Sequence, residues 1–201
     1  MIAKHAATLC SNESVLVAID LQESLLRALP NSESFLRSTR LLLQGAQVLG
    51  IPLLVTTQNR DKLGGVTQEL ADLLPKENAW LDKLCFSCAE ASSFLVQLQA
   101  LQRRQVVLCG VETHICVCQT ALGLLAAGYQ VHIVADAVAA RFQRDHELGL
   151  KKMFQVGVLP SSVEMALYEW VGEAGNTAFR AILPLIKAHQ NERKELGSHA
   201  K

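Results

Sequence analysis

Four stretches of the chain are apolar almost without interruption. They are "SVLVAID" (residues 14–20), "IPLLVTTQ" (51–58), "QVVLCG" (105–110) and "YQVHIVAD" (129–136). Short β-branched runs of this kind suit strands buried on both faces. Pro52 stands at the start of its run, where a strand tolerates it. Between the runs the period changes. "LRSTRLLLQGAQVLG" (36–50), "ASSFLVQLQAL" (91–101), "ICVCQTALGLLAAG" (115–128) and "RDHELGLKKMFQVG" (144–157) place apolar residues at helical spacing, and three of them stop at a glycine. "AWLDK" (79–83) reads as a short strand, and "NRDKLGGVTQEL" as a loop entering a short helix. "VLPSSVEMALYEWVG" reads as a short strand, a serine-rich N-cap region and a helix. "TAFRAILPLIKAHQ" predicts a last helix interrupted at Pro184.

Strands of this type alternating with helices predict an α/β fold. The expected form is a three-layer α/β/α sandwich around a doubly wound, mainly parallel sheet of about six strands. Residues 1–201 are expected to form one domain. In such sheets ligands bind beyond the carboxyl ends of the strands. That rule selects Asp20, Gln58, the 110–116 loop and Asp136. For Gln58 and Asp136, capping a turn is the competing role.

Composition narrows the function class. Lys and Arg number 19, as do Asp and Glu, so the formal net charge is zero. Nothing in that balance favours nucleic acid or an acidic membrane surface as partner. No apolar run is long enough to cross a bilayer. The N-terminal stretch mixes Lys, His, Ser, Asn and Glu and does not resemble a signal peptide, so the expected location is cytoplasmic. "ERKELGSHAK" reads as a solvated tail. In that setting the six cysteines are expected as reduced thiols. "CFSC" (85–88) and "CVC" (116–118) keep a zinc or thiol-redox reading open, although the second CxxC of a zinc ribbon is missing. Nucleotide-loop patterns, a GxSxG elbow and HExxH are absent.

Candidate chemistry centres on "VVLCGVETHICVCQT" (106–120). Cys116 falls where a strand-to-loop turn enters a helix. Helix N-terminal N–H groups favour thiolate and offer an oxyanion site. Cys109 and Cys118 read as strand and helix packing. Asp20 ends an otherwise apolar run and is placed to accept a thiol proton, or alternatively to cap a helix. Lys83, in "WLDKLCFSC", is placed to hold both charges, or alternatively to be a solvated lysine.

These residues, in this order, resemble the isochorismatase-like cysteine hydrolase superfamily. "LVAIDLQESLL" is similar to its D-x-Q motif at Asp20 and Gln22, and "DKLCFSC" to its K-x-x-F-S segment at Lys83, Phe86 and Ser87. The stretch from Leu108 resembles its nucleophile motif, and "DHELGLKKMFQVGVLPSSVEMALYEWV" its C-terminal part. The resemblance implies a catalytic triad of Asp20, Lys83 and Cys116. It also implies a non-proline cis peptide at Val111–Glu112, and an oxyanion hole from the Glu112 and Cys116 N–H groups. Gln22, Gln58, Phe86 and His114 are the candidate substrate contacts.

Departures from family members sharpen the reading. The Asp-x-His pair and further histidines that hold the metal of nicotinamidases are missing between Gln58 and Lys83. True isochorismatases have a small residue in place of the nucleophile, where this chain has Cys116. The resemblance therefore implies a metal-independent, cofactor-free hydrolase of a small amide or related C–N bond, working through a thioester as a homo-oligomer. A non-catalytic interaction protein on the same fold is the alternative from another class. Arg141 is expected to face substrate or to pair with a carboxylate.

Overall fold

The computed structural model describes residues 5, 7–30, 32–76 and 79–198, with side chains through residue 192. The first four residues and the last three, parts of the N-terminal stretch and of the solvated tail considered above, lie outside them. The strands are β1 (Ser14–Ile19), β2 (Leu53–Gln58), β3 (Leu81–Lys83), β4 (Gln105–Val111), β5 (Gln130–Ala139) and β6 (Leu159–Ser161). They form one sheet in the order β3-β2-β1-β4-β5-β6, and every pairing is parallel. The helices are α1 (Glu23–Leu26), α2 (Ser32–Val48), α3 (Arg60–Leu63), α4 (Gln68–Ala71), α5 (Ser92–Ala100), α6 (Cys118–Ala126), α7 (Gln143–Gln155), α8 (Val163–Val171) and α9 (Thr177–Ser198).

The sheet is buried on both sides, which is why its strands read as continuous apolar runs. Side chains alternate along β1. Leu16 and Ala18 join the core under α2, α8 and α9, which contains Phe35, Leu42, Leu167 and Ile182. Val15, Val17 and Ile19 join the opposite core under α5, α6 and α7, which contains Phe94, Leu98, Leu124 and Met153. The three-layer sandwich follows directly. Chain order reverses direction between β1 and its neighbour β4, so the topological switch point lies there.

Three elements differ from the sequence reading. Helix α2 begins at Ser32, four residues before the periodic apolar pattern, with Glu33 in its first turn where the helix dipole favours an acid. Helix α9 runs through Pro184 instead of breaking there. An interior proline costs about 3 kcal/mol. Here Ile182 and Ile186 on either side are fully buried against the α2–α8 face, which offsets that cost. Strand β5 continues past Asp136 to Ala139. Leu108 faces Ile133 but Gly110 faces Val138, so a bulge in β5 carries it alongside the end of β4.

Gly110 fixes the closest approach in the sheet. Its φ is +121°, and a Cβ at this position would stand 2.0 Å from the Ile19 carbonyl oxygen. A side chain would force β4 away from β1 immediately before Asp20. The variant Gly110→Ala is expected to lose at least about 3 kcal/mol of stability in a urea titration, from combined overpacking and backbone strain. A loss under about 1 kcal/mol would show that the two strands separate freely at this point.

Candidate active site

Four consecutive strand ends converge at one place. Asp20 follows β1 directly, with φ +53°, in the left-handed region that Asp enters more readily than most residues. Its N–H donates to the Thr56 carbonyl at 3.2 Å, which turns the carboxyl group back across the strand ends. The parallel register pairs Ile19 with Thr56 and Gln58 with Lys83. Thr56 Oγ1 donates to Asp20 Oδ1 at 2.8 Å, and Lys83 Nζ donates to Asp20 Oδ2 at 2.8 Å. The Lys83 ammonium also donates to Gln58 Oε1 at 2.8 Å. The ion pair is closed to solvent, with side-chain exposures of 1% for Lys83 and 0% for Asp20. Burial works against a charged Lys83. The charge of Asp20 outweighs it, joined by Cys88 and Cys116 only at the alkaline pH where those thiols ionise, so the ammonium pKa lies above the ordinary lysine value.

Cys116 enters from β4. The Val111–Glu112 peptide is cis, and the chain then forms a π-helical turn, Thr113–Val117, ahead of α6. Such turns recur at functional sites. The buried Cys116 Sγ lies 3.9 Å from Gln58 Oε1. Its thiol pKa is pushed well above the usual range, first by burial, then by the Asp20 charge, with Lys83 opposing and the Asp20 hydrogen bond adding to the rise. The lowered pKa expected from a helix N-terminus does not arise. A five-residue turn offers little dipole against full desolvation and an adjacent carboxylate. At rest this is a thiol beside a carboxylate, which can surrender its proton as it attacks an electrophile. Burial also raises the thiol pKa of Cys88, to about 11, and that of Cys109, to about 12. Cys109 and Cys118 pack in the core as expected, and all six cysteines are free. Among the described residues no His, Cys, Asp and Glu side chains group as a metal site.

Neighbouring groups hold this cluster in place. Gln22 is wholly buried, and its amide bonds the backbone of Gln58 in both directions and the Gly64 carbonyl. It fastens the strand ends, and no exposed surface remains for the substrate contact expected of it. Glu112 is buried, and its carboxylate accepts from the Arg141 backbone N–H and Nε, each at 3.0 Å. Of the two roles considered for Arg141, the structure shows the carboxylate pair. Asp136 accepts from Val163 N at the start of α8 at 2.9 Å, the capping role weighed for it. Gln58, by contrast, sits in the cluster. Phe86, three residues after Lys83, is 52% exposed, and Leu84 is 74% exposed. His114 lies inside the π turn, with its Nδ1 buried and unpartnered and its Nε2 4.0 Å from Asp145.

Sequence reasoning missed Thr56, Cys88 and the α7 contacts. Thr56 shows only as the first polar residues of "TTQ" closing an apolar strand. Cys88 donates to Thr56 Oγ1 at 3.8 Å beneath the ion pair. Thr113 Oγ1 meets His146 Nδ1 at 2.9 Å. Gly149 brings α7 so close that a Cβ there would stand 3.0 Å from His114 Cα and 3.2 Å from its N. Gly123 does the same for α6, with a Cβ 2.7 Å from Ala89 Cβ and 3.3 Å from Ser87 Oγ.

Comparison with known proteins fits this architecture. The family model described as "Isochorismatase domain" matches residues 14–165. The chain is 35% identical over 190 residues to the secreted isochorismatase effector Isc1 of Phytophthora sojae, covering 92% of this chain and 90% of that protein. The structure described as MAR1 ribonuclease from Caenorhabditis elegans superposes with a TM-score of 0.83 at 30% identity, covering 89% of this chain and 92% of that one. The YcaC gene product of Escherichia coli, described as an octameric hydrolase of unknown specificity, shares the fold with a TM-score of 0.87 at 20% identity, covering 98% of each chain.

Two outcomes are expected. Alkylation of Cys116 by iodoacetamide, followed by mass spectrometry across pH, should stay slow at neutral pH and rise only above the free-thiol range of about 8.5–9. Asp20→Asn removes charge that raises the thiol pKa and should speed labelling at a given pH. Lys83→Ala removes the charge that lowers it and should slow labelling. The opposite order would disprove the electrostatic account. In Gly149→Ala, about 1 kcal/mol of helix propensity is gained while the methyl presses on the His114 backbone. Thermal stability should change by less than about 1 kcal/mol while the Cys116 labelling rate changes several-fold; an unchanged rate would show that α7 does not position the turn.

Proposed function

The chain belongs to the isochorismatase domain family, a family of hydrolases, and from that premise we propose that it is a cysteine-dependent hydrolase of a small amide or related C–N bond. The observation that carries this reading is the solvent-excluded Asp20–Lys83 pair, 2.8 Å apart, with the Cys116 thiol beside it. Asp20 takes the thiol proton as Sγ attacks the carbonyl carbon. Lys83 keeps the carboxylate oriented and moderates the growing negative charge. The Glu112 and Cys116 N–H groups stabilise the oxyanion. Collapse breaks the C–N bond, and protonated Asp20 returns its proton to the leaving amine. Asp20 then deprotonates water, which attacks the thioester carbon. The acid departs and Sγ recovers the proton, so the cycle closes without a metal or cofactor.

The four candidate contacts divide in this scheme. Gln58, held by Lys83 and near Sγ, touches the reacting region. Phe86 forms part of the rim, His114 flanks the nucleophile, and Gln22 holds the framework. A homo-oligomer is part of the proposal, supported by the octamer described for the YcaC protein. A cytoplasmic location is supported by the free thiols. Among the described residues no helix is long and apolar enough to cross a membrane. Nucleic acid is not the proposed substrate, in keeping with the balanced charge.

The test is a screen of small primary amides and ureido compounds, with single-stranded RNA as a separate arm. Wild type should hydrolyse at least one amide, and Cys116→Ala should lower kcat/KM by at least about 10⁴-fold. Trapped thioester on Cys116 should appear by mass spectrometry at low pH. Equal activity of wild type and variant, or cleavage confined to RNA, would overturn the assignment.

A further inference from the structure

We propose that the chain carries a second small-molecule site, sharing no lining residue with the Asp20–Lys83–Gln58–Cys116 cluster, which binds a carboxylate of amino-acid size that also bears a hydrogen-bond donor. The site is a cavity of about 230 Å³ at the carboxyl end of β5. A water molecule takes about 30 Å³ of liquid, so the space exceeds a single water or simple ion. None of Asp20, Lys83, Gln58 and Cys116 lines it. The cavity adjoins the far side of the turn that carries Cys116, through the Val111–Ala139 pairing and the Thr113–His146 contact, but its lining is its own. The inference therefore does not depend on the reaction assigned to the thiol.

The lining has separated chemistry. Arg37 on α2 contributes a guanidinium whose side chain is only 21% exposed. Its Nη1 pairs with Glu33, which is 79% exposed at the protein surface. A guanidinium has five N–H donors in a planar fork suited to carboxylate, so one such pair does not exhaust it. Ser38, one residue on, adds a buried hydroxyl-bearing residue. Gln143 and His146 come from the first turn of α7, and Ser34, Phe35, Arg37 and Ser38 from the first two turns of α2.

Asp136 supplies the opposite chemistry. Its Oδ1 accepts the Val163 N–H, while the carboxylate is exposed in the cavity wall. A carboxylate has about four lone-pair sites, so acceptors remain for an ammonium or hydroxyl. Phe35 and Val138 provide an apolar floor. A plain anion would meet Asp136 unfavourably, and a plain amine would meet Arg37 unfavourably. A zwitterion of amino-acid size satisfies both.

Isothermal titration of the full chain against a panel of free amino acids tests this. The binding amino acid is then compared with its des-amino acid and its decarboxylated amine. At least one amino acid should bind with a Kd of about 1 mM or tighter, and both analogues should bind at least about 10-fold more weakly. Arg37→Leu should weaken binding at least about 10-fold, with Arg37→Lys intermediate because it keeps charge and loses the fork. Asp136→Asn keeps an acceptor for Val163 but removes the charge, and should abolish the preference over the des-amino acid. Cys116→Ala should bind as wild type. Thermal melts establish that each variant is folded. Failure of every amino acid to bind at about 10 mM, binding indifferent to both Arg37 variants, or binding lost in Cys116→Ala would each overturn the proposal.

Discussion

The buried pair of Asp20 and Lys83 is the constraint on which the site depends. Two charges withdrawn from water are costly, and their mutual attraction repays this only with good geometry and further hydrogen bonds. Both conditions come from the sheet. The ends of β1, β2 and β3 lie in register, so Thr56 and Gln58 fall beside Asp20 and Lys83 and satisfy their remaining groups. The Cys116-bearing turn then arrives from β4 at the switch point, completing a row of four adjacent strand ends. Moving β1 or β3 by one residue would leave a charge buried without its partner, and moving β2 would strip both charges of their hydrogen bonds.

The same pair sets the condition of the thiol. Burial and the Asp20 charge hold Cys116 protonated at rest, while Lys83 limits that effect. Such an arrangement guards the sulfur from stray electrophiles and oxidants, whose attack follows thiolate character. On the proposed mechanism, reactivity depends on a proton transfer that coincides with a correctly seated substrate. This differs from the low-pKa thiol that a helix N-terminus alone would produce.

Much of this was legible in the sequence because it rests on local signals. Continuous β-branched runs reported buried strands, and the polar residues Asp20 and Gln58 that close two of them marked the edge of the sheet where the cluster forms. Asp20 stood out because it ends an apolar run and Cys116 because a turn enters a helix there, while Lys83 and the grouping of the three came with the family resemblance. What stayed hidden depends on register and on close approach. Nothing in "TTQ" shows that Thr56 faces Asp20 until β1 and β2 are paired. Gln22 looked like a ligand-facing residue because its position beside Asp20 is visible and its three backbone bonds are not. Gly123 and Gly149 looked like neutral helix residues, since their contacts lie across helices. Pro184 looked like a break because its lost hydrogen bond is local and the burial that offsets it is not.

Gly110, Gly123 and Gly149 leave the inner framework little latitude: a single added methyl at any of them meets a neighbouring atom at 3.0 Å or less. Leu84 and Phe86, just after Lys83, obey the opposite rule and project into solvent. Tolerance to change is therefore divided: a side chain can be exchanged cheaply on the solvent side of Lys83, while behind it even one carbon must displace a neighbour.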